Sequence, residues 1–386
     1  MAKATRGDGY ISIGIQVIGP KYMYCASRGS LVTEISSRDI VRTERPQAGP
    51  LYLYYYICAT AVWIHYKPST RVGIERALSK PSFRAMASKV LVFGSTGKQG
   101  GACVDTLLAL GGFEVHAFVR KPQSANAKAL AARGVVLHEG DFKSKPSIEA
   151  AMRDSSASMV YLMTAWHPLK TSAKAETVQG LDAIDAISNA NPDAFVVFSS
   201  VACAGKGPAA MKHMHSKAVI EKHLKASAIK RWFILRPAAF YESFDDKANG
   251  NPLKKGKVKY LTYPQATVAY VACGDIGKAA AAAFAAPDAW AGKTVSLAGG
   301  KHTGYELADA LTAASGTQSK YAVMVPRFVL GCLMPDLKAM AVFMETGAQA
   351  EDPDWEASKQ LVPDIMDAKA WFLSKGCFSN GVKFGA

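Results

Sequence analysis

Lys89-Val-Leu-Val-Phe-Gly-Ser-Thr-Gly-Lys-Gln-Gly-Gly101 is the stretch on which the reading of this chain turns. Its apolar run, Val90 to Phe93, reads as a short strand that feeds straight into Gly94-x-x-Gly97-x-x-Gly100. Cys103, Val104, Leu107, Leu108 and Leu110 then recur at helical spacing. Strand, glycine turn and helix in that order make a cradle for a pyrophosphate. With no Cβ in the way, the phosphates approach the backbone amides at the helix N-terminus. The candidate contacts are Gly94, Thr96, Gly97, Lys98, Gln99 and Gly100. A glycine triplet alone is also an ordinary turn; the strand and helix on either side favour the cradle.

The same alternation continues downstream. Lys89–Phe93, Phe113–Val119, Val135–His138, Met159–Met163 and Ala194–Ser199 read as strands, with a sixth at Arg231–Leu235. Gly100–Leu110, Ser124–Arg133, Pro146–Met152 and Ala173–Asn189 read as the helices between them. Strands separated by helices imply right-handed crossovers and a parallel sheet. The expected fold is α/β, a Rossmann-type doubly wound sheet with a small C-terminal α/β substrate-side domain. Ligands in such sheets bind at the carboxyl ends of the strands. The expected domains are an N-terminal extension over 1–85, a nucleotide-binding domain over 86–240, and a smaller region over 241–386 interwoven with it.

Composition narrows the function classes. Of 386 residues, 49% are hydrophobic and 20% charged, which is globular rather than disordered. The net charge of +15 is spread along the chain, with no block of five or six like charges and no nucleic-acid recognition motif. Direct nucleic-acid binding is therefore not expected, whereas an anionic ligand would suit the positive field. The seven cysteines are far apart with no C-x-x-C, which argues against a disulfide framework or a metal site and for a reducing compartment. No run of 18 apolar residues occurs, so a membrane span is not expected. The expected location is the cytoplasm.

Residues 1–85 read differently. Pro20, Pro46, Pro50, Pro68 and Pro81 break any period, and Asp8, Glu34, Asp39 and Glu44 spoil the acid-poor pattern of a transit peptide. The aromatic run Leu51–His65 suits a short membrane-associated helix or a buried strand. The segment is expected to be poorly ordered, with Met86 the functional start; a cleaved targeting sequence is the competing reading.

The end of the second strand bears on cofactor choice. NAD-binding units place an acid there for the ribose 2′-hydroxyl. Here the strand runs into Arg120-Lys121-Pro122, two cations and no carboxylate. That favours NADP(H) over NAD(H), with Arg120 and Lys121 on the 2′-phosphate; the alternative is that both face solvent. Asp141-Phe142, beyond the third strand, sits where an adenine-contacting pair would stand, or in a simple loop turn. Thr164 ends the fourth strand, on the nicotinamide side.

Hydride-transfer enzymes of the short-chain dehydrogenase type need Ser, Tyr and Lys after the next strand. Ser199 and Lys217 are present, but His213 stands four residues before Lys217, where tyrosine belongs. Taken with Phe198-Ser-Ser-Val201, His213-x-x-Ser216-Lys217, Leu235-Arg-Pro237, Phe240-Tyr-Glu242 and Gly274-Asp-Ile-Gly277, the chain from Lys89 to about Phe372 resembles the NmrA-like family. These are atypical short-chain dehydrogenase/reductases. The resemblance implies an NADP(H)-preferring core and two possible functions. One is reduction of a small electrophile such as a quinone, enone or carbonyl compound. The other is a catalytically silent NADP(H) sensor that binds a transcription-related protein partner, for which a nuclear location is also open. Lys217 would hold the nicotinamide ribose in either case, and His213 either donates a proton near neutral pH or only shapes the pocket. Oligomeric state is not legible.

Farther on, Phe240, Tyr241 and Phe244 suit a substrate-side wall or ordinary loop packing. Asp275 is expected to cap a helix over Ile276–Ala285, and Thr303-Gly-Tyr-Glu306 to form a capping box. A helical stretch Phe328–Met344 broken at Pro335 and a tail helix Ile365–Leu373 complete the expectation.

Overall fold

The computed structural model describes residues 2–7, 10–15, 63–66, 87–164, 171–246, 253 and 256–375. The chain forms two compact units, Met1–Phe83 and Arg84–Ala386. In the first, β1 (Ala2–Gly7) pairs antiparallel with β2 (Tyr10–Ile15), and β2 pairs antiparallel with β3 (Trp63–Tyr66). The aromatic run at 51–65 ends in β3; the rest of it, and most of the expected extension, lies outside the described residues.

The second unit is built on seven strands. In chain order these are β4 (Ser88–Phe93), β5 (Phe113–Val119), β6 (Val136–Glu139), β7 (Met159–Met163), β8 (Phe195–Ser199), β9 (Arg231–Pro237) and β10 (Thr294–Leu297). Their spatial order is β10-β9-β8-β7-β4-β5-β6, and every pairing is parallel. This is the doubly wound α/β arrangement that the alternation predicts. Its winding reverses between β4 and β7, and in such sheets ligands bind at the carboxyl edge beside the reversal.

Burial explains the run of apolar residues in β4. Val90, Leu91, Val92 and Phe93 are all fully buried because the strand is covered on both faces. Val90 and Val92 pack into the cluster shared with α1 (Lys98–Leu110) and α6 (Cys273–Ala285). Leu91 and Phe93 pack into the opposite cluster with α3 (Lys145–Ser155), α4 (Ala173–Ala190) and α5 (Lys212–Ala226). Helices α1 and α6 approach closely: a Cβ at Gly277 would lie 2.4 Å from the Ala102 carbonyl carbon.

A third cluster holds Tyr241, Phe244, Tyr260, Tyr270, Trp371 and Phe372, under α8 (Gly304–Ser315) and α12 (Ala368–Lys375). Tyr241 and Phe244 are fully buried in it, so they are core rather than an open wall. The Thr303 capping box forms as expected. The stretch around Pro335 is two helices, α9 (Arg327–Leu333) and α10 (Pro335–Glu345), with the proline at the start of the second, where its missing N–H costs nothing. Asp275 is a correction. Helix α6 begins at Cys273, so Asp275 lies inside its first turn; it accepts the Met366 amide at 2.8 Å and faces Lys278 at 3.2 Å. The cap comes instead from Glu242, whose two carboxylate oxygens both accept the Cys273 amide at 3.0 Å.

Candidate functional site

The glycine loop joins β4 to α1 at the winding reversal. Gly94 has φ +67°, a left-handed turn that a side chain resists, and a Cβ there would also meet the Met163 sulfur at 2.6 Å. The Gly97 amide donates to the Gly94 carbonyl at 2.8 Å, closing the turn. Gly97 is the N-cap of α1 and offers no capping side chain, and the first turn of α1 holds no acid. The amides there retain the positive end of the helix dipole for an incoming anion. At Gly100 a Cβ would lie 2.3 Å from the Gly94 carbonyl oxygen, so the loop is as tight as its backbone allows.

Two adjoining crevices lie beside the loop. One, of about 530 Å³, is lined by Arg120, Lys121, Pro122, Gln123, Ser124 and Glu139. The other, of about 280 Å³, brings Thr96 of the loop together with Val119, Arg120, Lys121 and Ser124. Two exposed cations thus face one carboxylate, Glu139, across the end of β5.

Several expected contacts have other duties. Asp141 Oδ1 accepts the Lys143 amide at 2.9 Å in a local turn. Phe142 leans on Phe93 and Phe118, with ring centroids 5.3 and 5.9 Å away. Lys98 donates to the Glu242 carbonyl at 3.2 Å and pairs with Asp246 at 2.9 Å. It stands at the rim of a third cavity of about 540 Å³, between the first turns of α1 and α6.

At the carboxyl edge of the sheet, Ser199 ends β8 and donates its hydroxyl to Gln99 Oε1 at 2.8 Å. That bond ties the serine to the glycine loop. Thr164, buried at the end of β7, accepts from the Lys217 ammonium at 2.6 Å and donates to Glu176 Oε1 at 2.8 Å. Lys217 lies 3.0 Å from the same carboxylate oxygen. Burial pushes the Glu176 carboxyl upward, but the Lys217 ammonium and the Ser216 and Thr164 hydroxyls outweigh it and hold the group below the usual carboxylate range. One helical turn before Lys217, the buried His213 ring meets Asp336 Oδ1 through Nδ1 at 2.5 Å. The His213 amide donates to Asp336 Oδ2 at 3.1 Å, so an acid from α10 caps the helix that carries the site lysine.

Gly94, Thr96, Gly97, Gln99, Gly100, Thr164, Ser199 and Lys217 therefore gather along the carboxyl edge of β4, β7 and β8 or on the elements that meet it. Sequence reasoning missed Glu176 and Asp336. A signal for Glu176 existed: it lies on the stripe with Gly180, Ala183, Ile184 and Ile187 that α4 buries. Asp336 is 123 residues from its partner and left no local trace.

A doubly wound parallel sheet with a tight glycine loop at its winding reversal defines a Rossmann-like α/β protein. Residues 86–366 match the model of the NmrA-like family, and the chain belongs to that family. It is 26% identical over 323 residues to the NmrA-like family domain-containing oxidoreductase notA' of Aspergillus versicolor, covering 77% of this chain and 85% of the relative. Its fold is similar to that of the Citrobacter sp. triphenylmethane reductase complexed with NADP(H), with TM-score 0.61, 18% identity, and 75% of this chain and 99% of that one covered. It is also similar to NmrA, a negative transcriptional regulator in complex with NAD, with TM-score 0.59, 16% identity, and 75% and 95% covered. Among the described residues no helix is long and apolar enough to cross a membrane, and no group of three His, Cys, Asp or Glu is placed to hold a metal ion.

Proposed function

We propose that this chain is an NADP(H)-dependent oxidoreductase acting on a small electrophile of the quinone, enone or carbonyl type. The observation that carries the cofactor choice is the crevice at the end of β5, where Arg120 and Lys121 meet Thr96 of the glycine loop. A 2′-phosphate placed there gains two cations, and the single carboxylate, Glu139, leaves the balance positive. The loop suits a pyrophosphate: only glycine lets the turn close this tightly, since a Cβ at Gly94 would meet the Met163 sulfur and one at Gly100 the Gly94 carbonyl, and the amides at the start of α1 carry no side-chain cap. In this reading residues 86–240 bind the cofactor and 241–386 complete the substrate side.

The bound cofactor would supply the hydride. The chain's own residues hold and orient it. The α1 amides take the pyrophosphate, Arg120 and Lys121 the 2′-phosphate, and Lys217 a ribose hydroxyl near Thr164. Ser199 would reach a substrate oxygen after releasing Gln99. His213, oriented by Asp336, stands where a proton donor is needed.

The same geometry supports a second reading, a nucleotide-sensing regulator that binds a transcription-related protein partner. Ser199 is engaged by Gln99, and the tyrosine position is filled by a histidine already bound to an acid. NADPH oxidation over a panel of quinones, aldehydes and enones separates the two. Turnover that drops on Lys217→Ala supports the reductase; tight NADPH binding without turnover supports the regulator.

A further inference from the structure

Glu176 is a carboxylate with no solvent exposure at all, on the first turn of α4. A buried charge persists only when it is paired and its lone pairs are satisfied. Here they are. Oε1 receives Lys217 at 3.0 Å and the Thr164 hydroxyl at 2.8 Å, and Oε2 receives the Ser216 hydroxyl at 2.7 Å. The donors come from two other elements, the end of β7 and helix α5. Thr164 both accepts from Lys217 and donates to Glu176, so the three groups form a closed triangle. An ammonium carries three N–H bonds. Thr164 and Glu176 take two, and the Lys217 side chain keeps 11% of its surface open.

We propose that Glu176 is the positioning residue for Lys217, fixing the ammonium at the carboxyl edge of the sheet with one N–H directed to an oxygen of the bound dinucleotide. This rests on reading that edge as the dinucleotide site. Lys217 then acts as a preset hydrogen-bond donor. Its geometry is set before the ligand arrives, which spares the ordering that a long flexible side chain otherwise needs on binding. Thr164 is the hinge of the arrangement, since its hydroxyl fixes the distance between cation and anion.

A mere cross-link between α4 and α5 would use the same bonds, so the test must separate the two roles. NADPH titration by fluorescence on the full chain, with Glu176→Gln, Lys217→Met and the double variant, forms a cycle. Positioning predicts that Glu176→Gln weakens NADPH about tenfold, the worth of one charge-assisted hydrogen bond, and that the same change costs under about twofold once Lys217 is methionine. An equal loss in both backgrounds, or no loss in the first, would overturn the proposal. If Glu176→Gln does not fold, carbon-13 carboxyl NMR of the wild-type chain and Lys217→Met decides without ligand. The Glu176 midpoint should lie below the ordinary glutamate range in the wild type and rise when the cation is removed; an unmoved midpoint contradicts the pairing. If the wild-type chain binds no NADPH, the proposed function fails, and the carboxyl titration still decides whether Glu176 and Lys217 are coupled.

Discussion

Replacing Gly100 with alanine puts a methyl carbon where the loop's own backbone already stands. The new Cβ would lie 2.3 Å from the Gly94 carbonyl oxygen, 2.5 Å from the Gly94 carbonyl carbon and 2.8 Å from the Phe93 carbonyl oxygen. Ordinary contact begins near 3.4 Å, so the two surfaces must part by about an ångström. No flexible side chain can give way, because all three neighbours are main chain. Phe93 is fully buried at the end of β4, so the movement falls on the loop and the first turn of α1. Overpacking of this kind costs about 1–3 kcal/mol. If most of it falls on the cradle, NADPH affinity drops by a factor of roughly 5 to 150. Fluorescence titration of NADPH, with a circular-dichroism melt on the same sample, measures both effects. Gly274→Ala is the control, since its nearest neighbour would be 4.0 Å away. A Gly100→Ala chain that binds NADPH within twofold of wild type would refute the assignment of this loop as the cradle.

Two further predictions concern the frame. Gly277→Ala drives a Cβ to 2.4 and 2.5 Å from the Ala102 carbonyl, so α1 and α6 must separate; urea denaturation should show a loss of about 1–3 kcal/mol, and an unchanged midpoint would contradict the close packing. The second is a pH effect at the β5–β6 pair, where His116 Nδ1 and His138 Nε2 lie 2.8 Å apart, with Glu114 on the other His116 nitrogen and Lys89 and Asp154 nearby. Burial lowers both histidines below their ordinary range, with the Glu114 carboxylate only partly offsetting it at His116. The unfolded chain therefore takes up protons that the folded one resists. Stability from this pair is full above about pH 6.5 and is lost as pH falls through the lowered folded values. His138→Gln should flatten that acid limb in denaturation curves recorded from pH 7.5 to 5; an unaltered limb would show that the pair does not contribute.

Much of the frame was legible because its signals are local. A buried parallel strand must be apolar throughout, and Val90–Phe93 is. A turn at φ +67° selects glycine, and Gly94 supplies it. Thr303 and Glu306 announce a helix start within four residues. The polar half of the site was less legible because its partners are far apart in sequence. Lys98 looked ready for a phosphate, yet its partner Asp246 lies 148 residues away. His213 meets Asp336 across 123 residues. Asp275 had the composition of a cap, but Glu242, 31 residues upstream of Cys273, does the capping. Such pairings are set by how the C-terminal helices fold back on the sheet, and no periodicity encodes them. Glu176 is the intermediate case: an acid on an apolar stripe, readable once its burial is taken seriously.

In the proposed function the carboxyl edge binds NADP(H) through the 2′-phosphate. Paired titration of NADPH and NADH against the wild-type chain and Arg120→Ala tests it most directly. The wild type should bind NADPH more tightly than NADH, and Arg120→Ala should cost about tenfold for NADPH and under about twofold for NADH. Equal losses for the two nucleotides, or tighter NADH binding in the wild type, would contradict it.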